Sequence, residues 1–111
     1  MPRDYKVYLD DILEAATKIR DYTKGLTLEG LKGDAKTLDA VVRNLEIIGE
    51  AAKKVPEEIR RGCPDVEWKR IAGLRDMLIH EYFGIDVNIV WDIIRNRLSP
   101  LERQIKKILS E

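Results

Sequence analysis

Apolar residues recur at steps of three and four over the first part of the chain, from Asp4 to about Thr23. Such spacing places them on one side of an α-helix, where they can face a core. Asp4 is a suitable N-cap and Gly25 a suitable stop, so the pattern predicts a helix between them. The glycine-rich stretch that follows, "GLTLEGLKGD", predicts a loop with one short turn. The apolar side of this first helix would consist of Tyr5, Tyr8, Leu9, Ile12, Ala16, Ile19 and Tyr22.

A second helix with the same period is predicted from Asp34, as its N-cap, to about Lys54. Pro56 suits the first turn of a short helix, "PEEIRR", because a backbone N–H has no helical partner there. The tripeptide "GCP" then breaks that short helix. The inner side of the second helix would consist of Leu38, Val41, Val42, Leu45, Ile48 and Ala52.

The rest of the chain predicts further helices. Asp65 can cap a third long helix that runs from Val66 to about Phe83 and is ended by Gly84. Asp86 can cap the next one, whose apolar side would consist of Val87, Val90, Trp91, Ile94 and Leu98.

The sequence "SPLE" near the C-terminal end has the pattern of a capping box. Ser99 would be the cap, Pro100 the first helical residue and Glu102 the third. This region therefore predicts two consecutive helices, or one helix with a sharp kink. No stretch alternates apolar and polar residues as a half-buried strand would. The sequence thus predicts one all-α domain over residues 1–111, an up-and-down bundle of four to five helices.

Composition narrows the possible functions. The 20 Lys and Arg residues balance 20 Asp and Glu residues, which argues against gripping nucleic acid by bulk charge but allows a local basic patch. Cys63 is the only cysteine, which excludes an intrachain disulfide and favours a buried or half-buried thiol over a nucleophile. The charged opening stretch and the lack of a membrane-length apolar run predict a cytoplasmic protein outside the membrane.

The stretch "GLRDMLIHEYFGID", residues 73–86, contains the only histidine of the chain. At about 100° per residue, His80 falls opposite the apolar side of the third long helix. It is therefore not expected to pack into the protomer's own core, and it shares its side with Gly73, Asp76 and Met77. The apolar side would consist of Ile71, Leu74, Leu78 and Tyr82.

Three charged or polar residues near His80 suggest chemistry. Asp76 lies four residues before it, so its carboxylate can fix the imidazole tautomer and raise the basicity of the ring. Arg75 and His80 are about 140° apart on an ideal helix. Either the arginine side chain wraps toward a groove, or the arginine of one subunit serves the histidine of another. Arg75 and Tyr82 are seven residues apart and lie toward the edge of the apolar side.

Structural interpretations of the same residues remain open at this point. His80 can be a helix-surface histidine that pairs with Asp76 for stability, and Tyr82 can be a core residue with its hydroxyl at the rim. One histidine with Asp76 or Glu81 supplies too few ligands for a metal ion, so we expect no metal site.

The segment "RDMLIHEY", with the pattern Arg75-x4-His80-x-Tyr82, resembles the signature of the HEPN superfamily, in particular its HepT-like toxin branch. The resemblance extends over nearly the whole chain. One departure is Asp76, where this branch often has asparagine, so that a negative charge is added near the reaction centre. The other similar segments are "RDYKVYLDDILEAATKI", "VVRNLEIIGEAAKKVPEEIR", "PDVEWKRIAGLRDMLIHEYFGID" and "VWDII".

This resemblance implies an all-α homodimer, or a higher oligomer, in which two Arg-His helices meet across a two-fold axis and line a cleft. It implies metal-independent RNA cleavage without a cofactor, with transfer RNA among the substrates. His80 would be the general base or acid, Arg75 the cation at the scissile phosphate and Asp76 their polar support. Tyr82 would be the residue to which an MntA-like nucleotidyltransferase antitoxin attaches AMP.

Two other functions compete with this ribonuclease toxin. One is a catalytically weak HEPN binding module that presents a pocket or helix face to a nucleotidyltransferase. The other is a helical-bundle interaction protein without chemistry of its own. The presence together of Arg75, His80 and Tyr82 favours the ribonuclease, because a scaffold would not need all three.

Overall fold

A computed structural model of the chain describes residues 4–80 and 86–111, without the side chains at 75 and 78–80. Those residues form helices with short connections and no β-strand, which confirms the all-α prediction. Five of the helices have ten residues or more, in agreement with the predicted four to five. The helices are α1 (Tyr5–Thr23), α2 (Leu28–Lys32), α3 (Ala35–Lys54), α4 (Glu57–Gly62), α5 (Trp68–His80), α6 (Val87–Asn96) and α7 (Leu98–Leu109).

Three of the predicted aspartate caps are present. Asp4 accepts a hydrogen bond from the backbone N–H of Lys6 at 3.0 Å, and Asp86 accepts one from Asn88 at 2.9 Å. The Thr37 hydroxyl donates to Asp34 at 2.7 Å and the Thr37 backbone N–H donates at 3.0 Å. These two donors stabilise the charged carboxylate and lower the pKa of Asp34 below its ordinary value.

The core is built around α1, which packs against both α3 and α7, and α3 packs against α5 as well. Most residues of the predicted stripes of α1 and α3 are buried there, which confirms the stripes except at Tyr22, whose side chain is 44% exposed. Tyr5, Tyr8 and Leu38 are half-buried and pack against the core. At about 1.5–3 kcal/mol for each large apolar side chain, this burial is the main source of stability. The completely enclosed residues include Leu9, Ile12, Ile19, Val41, Leu45, Ile48 and Ile105.

Glu102 is the charged residue within this core. Its side chain is 5% exposed, and its Oε1 lies 2.9 Å from the Nε of Arg20 on α1. The pair is close enough for an ion pair, but its alignment leaves Oε1 without a hydrogen bond. Glu102 therefore joins α7 to α1 instead of closing a capping box, and that part of the prediction was wrong.

The predicted starts of α5 and α7 both differ from the structure. Helix α5 begins at Trp68 and not after Asp65, because Val66 is buried in a turn whose carbonyl accepts from the Trp68 N–H at 2.9 Å. Helix α7 already begins at Leu98, so Ser99 lies inside it and is not the cap. The break between α6 and α7 falls at Arg97, which confirms two consecutive helices. The predicted end near Phe83 and Gly84 lies outside the described residues.

Candidate functional site

Helix α5 carries the backbone of Arg75, Asp76 and His80 in one continuous helix, as the sequence predicts. The side chains of Arg75 and His80, and all of Tyr82, lie outside the described part of the structure. The contacts among these three side chains therefore stay predictions. What the structure establishes is the environment that the rest of α5 provides.

The side of α5 that was predicted to face the core does so where it is described. Ile71 and Leu74 are half-buried and pack against the core, on the side where α5 meets α3. Met77 also packs against the core, although the helical period places it on the side shared with His80. That second side is therefore partly apolar and is not a simple solvated surface.

Asp76 is exposed and forms an ion pair with a residue that sequence reasoning missed. Its Oδ1 lies 3.3 Å from the Nζ of Lys53, in the last turn of α3. The two residues are 23 positions apart, and no short motif relates them. Only the packing of α3 on α5 brings Lys53 beside the Arg-His motif.

A groove of about 390 Å³ runs between α5, α6 and α7. Its floor is apolar and includes Ile71, Met77, Ile93 and Leu98. Ile89 on the α6 wall is 46% exposed, which is high for a large apolar residue. Within the described residues, 4–80 and 86–111, the groove is thus a partly exposed apolar surface beside the helix that carries the motif.

Charges at the rim of the groove are balanced. Glu67 accepts from the guanidinium of Arg70 at 3.3 Å and from that of Arg97 at 3.2 Å. Asp92, which accepts from Asn96 at 2.7 Å, supplies a second carboxylate. Among the described side chains, two arginines are therefore matched by two acidic residues, so this part of the rim is not a basic track of the kind that binds a polyanion.

Gly73 forms part of the groove wall in the middle of α5. A Cβ atom placed there would meet none of the described neighbouring atoms within 4 Å, so the described residues do not require glycine at this position. Glycine in a helix interior costs about 1 kcal/mol relative to alanine. Positions 73 and 80 are nearly eclipsed on a helix with about 100° per residue. The open wall at Gly73 is therefore on the side of α5 that bears His80.

Other predicted features have clear positions. Cys63 has a free, half-buried thiol, in agreement with the prediction. Its backbone carbonyl accepts a hydrogen bond from the Trp68 indole N–H at 3.0 Å. None of the described helices combines the length and the apolar character of a membrane span. Among residues with described side chains, no three possible metal ligands converge. His80 is not among those residues, so the expected lack of a metal site stays a prediction.

Comparison with known proteins places the chain in a family. The family model described as Ribonuclease HepT-like matches residues 12–108. A protein named "Probable ribonuclease HepT" from Thermococcus cleftensis is 41% identical over 97% of this chain and 98% of its own length. A protein from Methanocaldococcus jannaschii that carries the name "Putative RNase" is 44% identical over 100% of this chain and 93% of its own length. No solved structure gives a significant match. The chain therefore belongs to the HepT-like family of the HEPN superfamily.

Proposed function

We propose that this protein is a metal-independent endoribonuclease whose reaction centre is built on α5. The observation that carries the proposal is that Arg75, Asp76 and His80 share one continuous helix in a chain matched over residues 12–108 by the HepT-like family. The names of its relatives, ribonuclease and RNase, support the same activity.

The proposed reaction is an attack within the RNA itself. His80 removes the proton from a ribose 2′-OH, and the 2′-oxygen forms a bond to the adjacent phosphorus while the bond to the 5′-oxygen breaks. The products are a 2′,3′-cyclic phosphate and a free 5′-hydroxyl. Arg75 stabilises the negative charge that builds up on the phosphate. The leaving oxygen needs a proton from a second group, which one histidine per chain cannot supply at the same moment.

We further propose that a homodimer solves this problem by bringing two copies of α5 together. The second imidazole, or Arg75 with a water molecule, then protonates the leaving oxygen. Three observations support a second copy as the occupant of the groove: its apolar floor, the open wall at Gly73 and its balanced rim. Across a two-fold axis, the carboxylates of one copy can pair with the guanidiniums of the other, and the reverse.

The activity is proposed to belong to a toxin–antitoxin pair. An MntA-like nucleotidyltransferase would attach AMP to Tyr82, two residues after His80. The added phosphate would occupy Arg75 through charge-assisted hydrogen bonds and block RNA from the cleft. Transfer RNA is among the proposed substrates.

A catalytically weak binding module is the second candidate. Asp76 favours it, since an acidic residue directly after Arg75 repels a phosphate, and so does the zero net charge. In this case the protein would still present α5 to the nucleotidyltransferase, but it would cleave RNA slowly or not at all.

Expression without the neighbouring nucleotidyltransferase separates the two candidates. Wild type should halt growth and degrade RNA, whereas His80→Ala should do neither while remaining helical and folded. Thr17→Ala, at an exposed position on α1, is the matched control and should behave as wild type. Equal toxicity of wild type and His80→Ala would exclude the nuclease.

With the nucleotidyltransferase supplied, Tyr82→Phe should lose the gain in mass that corresponds to AMP.

A further inference from the structure

Lys53 and Asp76 form a contact between two helices beside the motif. Lys53 lies in the last turn of α3 and Asp76 near the middle of α5, with 3.3 Å between Nζ and Oδ1. Their side chains are 39% and 57% exposed, so the pair contributes little to the free energy of folding. The pair matters because of where Asp76 lies, directly after Arg75 and one helical turn before His80.

The ion pair uses only part of the Asp76 carboxylate. Oδ1 accepts from Lys53, and none of the described side chains places a donor on Oδ2, which can accept from a second group. A residue four positions later on a helix is the nearest neighbour on that surface, and here it is His80. Anchoring Oδ1 to α3 restricts the rotation of the carboxylate, so that Oδ2 can orient the imidazole ring.

The lysine also cancels a charge. A bare carboxylate next to Arg75 would compete with RNA for the guanidinium and repel the scissile phosphate. With Lys53 at 3.3 Å, the Lys53–Asp76 pair is neutral as a whole. The carboxylate of Asp76 then competes less with the approaching phosphate for Arg75.

We propose that Lys53 is a positioning residue for RNA cleavage, which holds and neutralises Asp76 so that this carboxylate can orient His80. The inference rests on the proposed ribonuclease function and deepens it. Lys53 does not touch the substrate and acts through Asp76.

The neighbouring lysine provides a matched control. Lys54 follows Lys53 in the same helical turn, but its Nζ lies 3.8 Å from Glu50 and 5.9 Å from the centre of the Tyr8 ring. Its described contacts are thus with α3 and α1, not with α5. Lys54→Met removes the same charge as Lys53→Met without disturbing Asp76.

The first experiment measures RNA cleavage by the full-length chain. Lys53→Met should lower kcat/KM about tenfold, the lower end of what loss of an outer-shell partner costs at other reaction centres. Combining Lys53→Met with Asp76→Asn makes the pair neutral again and leaves an amide oxygen that can still accept from the imidazole, so it should recover much of the loss. Lys53→Arg keeps the charge and should remain close to wild type, as should Lys54→Met. All variants should melt within a few degrees of one another.

The second experiment uses the fact that the chain has one histidine, so its imidazole signal in an NMR titration needs no assignment. Lys53→Met should raise the pKa of His80, because the unpaired carboxylate favours the imidazolium. Asp76→Asn should lower it, and the double variant should return toward wild type. The other charged residues close in sequence to His80 or Lys53, which are Arg75, Glu81, Glu50 and Lys54, are unchanged in all three variants. If Lys53 only joined α3 to α5, the pKa of His80 would not rise in Lys53→Met, fall in Asp76→Asn and return in the double variant.

The outcomes separate the two proposals. If wild type cleaves RNA and Lys53→Met matches it in both rate and titration, the role of Lys53 is refuted and the ribonuclease function stands. A loss of rate that the double variant does not recover also refutes the positioning role. If wild type cleaves no RNA under any condition, both proposals fall.

Discussion

The two sides of the bundle differ in what covers their apolar residues. Where α1, α3 and α7 meet, the large aliphatic side chains are completely enclosed by the protomer itself, as Leu9 and Ile105 are. Between α5, α6 and α7 a groove of about 390 Å³ stays open, with Gly73 in its wall and Ile89 46% exposed. The first side is closed by the protomer itself, whereas the described part of the groove leaves some of its apolar lining, such as Ile89, exposed.

The largest effect should come from a cavity on the closed side. Ile12 is 0% exposed, so Ile12→Ala should lower the free energy of unfolding by about 2–5 kcal/mol. Ile89→Ala removes the same atoms from the groove wall and should cost about 1 kcal/mol or less. Urea denaturation at a single pH measures both. Equal losses would mean that the two sides do not differ as described.

An intermediate effect is expected where the closed side holds a charge. Arg20→Met leaves Glu102 buried without its counter-ion and should cost about 1–3 kcal/mol, less than a fully buried pair because Arg20 is 49% exposed. Adding Glu102→Leu should restore most of the stability, since an apolar residue suits the site. A double variant as unstable as Arg20→Met would show that Glu102 is not the cause.

The smallest effect on stability should come from the open side. Gly73→Leu places its side chain where a Cβ meets no atom within 4 Å, so helicity and melting should change little, by about 1 kcal/mol or less. The same change should weaken the proposed dimer at least tenfold in analytical ultracentrifugation. Gly62→Leu, also in open space but on α4, is the matched control. Unchanged dimerisation of Gly73→Leu would exclude the groove as the subunit contact.

Local signals were enough to predict most of the fold. Asp4, Asp34 and Asp86 cap helices as expected because a cap depends only on residues two or three positions away. The predictions at Asp65 and Ser99 failed because burial of Val66 and Leu98 decides where α5 and α7 begin. Local cap preferences are weaker than the burial of a large apolar side chain.

The candidate site was predictable only along its own helix. Its family and the shared helix of Arg75, Asp76 and His80 follow from the motif and the helical period. The approach of Lys53 could not be predicted, because a contact over 23 residues depends on how α3 and α5 pack. The same limit applies to the geometry between Arg75 and His80, which stays a prediction.

Arg97, at the joint between α6 and α7, also reaches Glu67 at the start of α5 with an N–O distance of 3.2 Å. One exposed guanidinium therefore ties together three helices at the mouth of the groove. Added salt screens attractions between exposed charges over a Debye length of about 10 Å at 0.1 M, which shortens to about 3 Å, close to this contact, at 1 M. Ionic strength should thus loosen this mouth well before it affects the aliphatic interior, which makes the width of the groove dependent on the surrounding electrolyte.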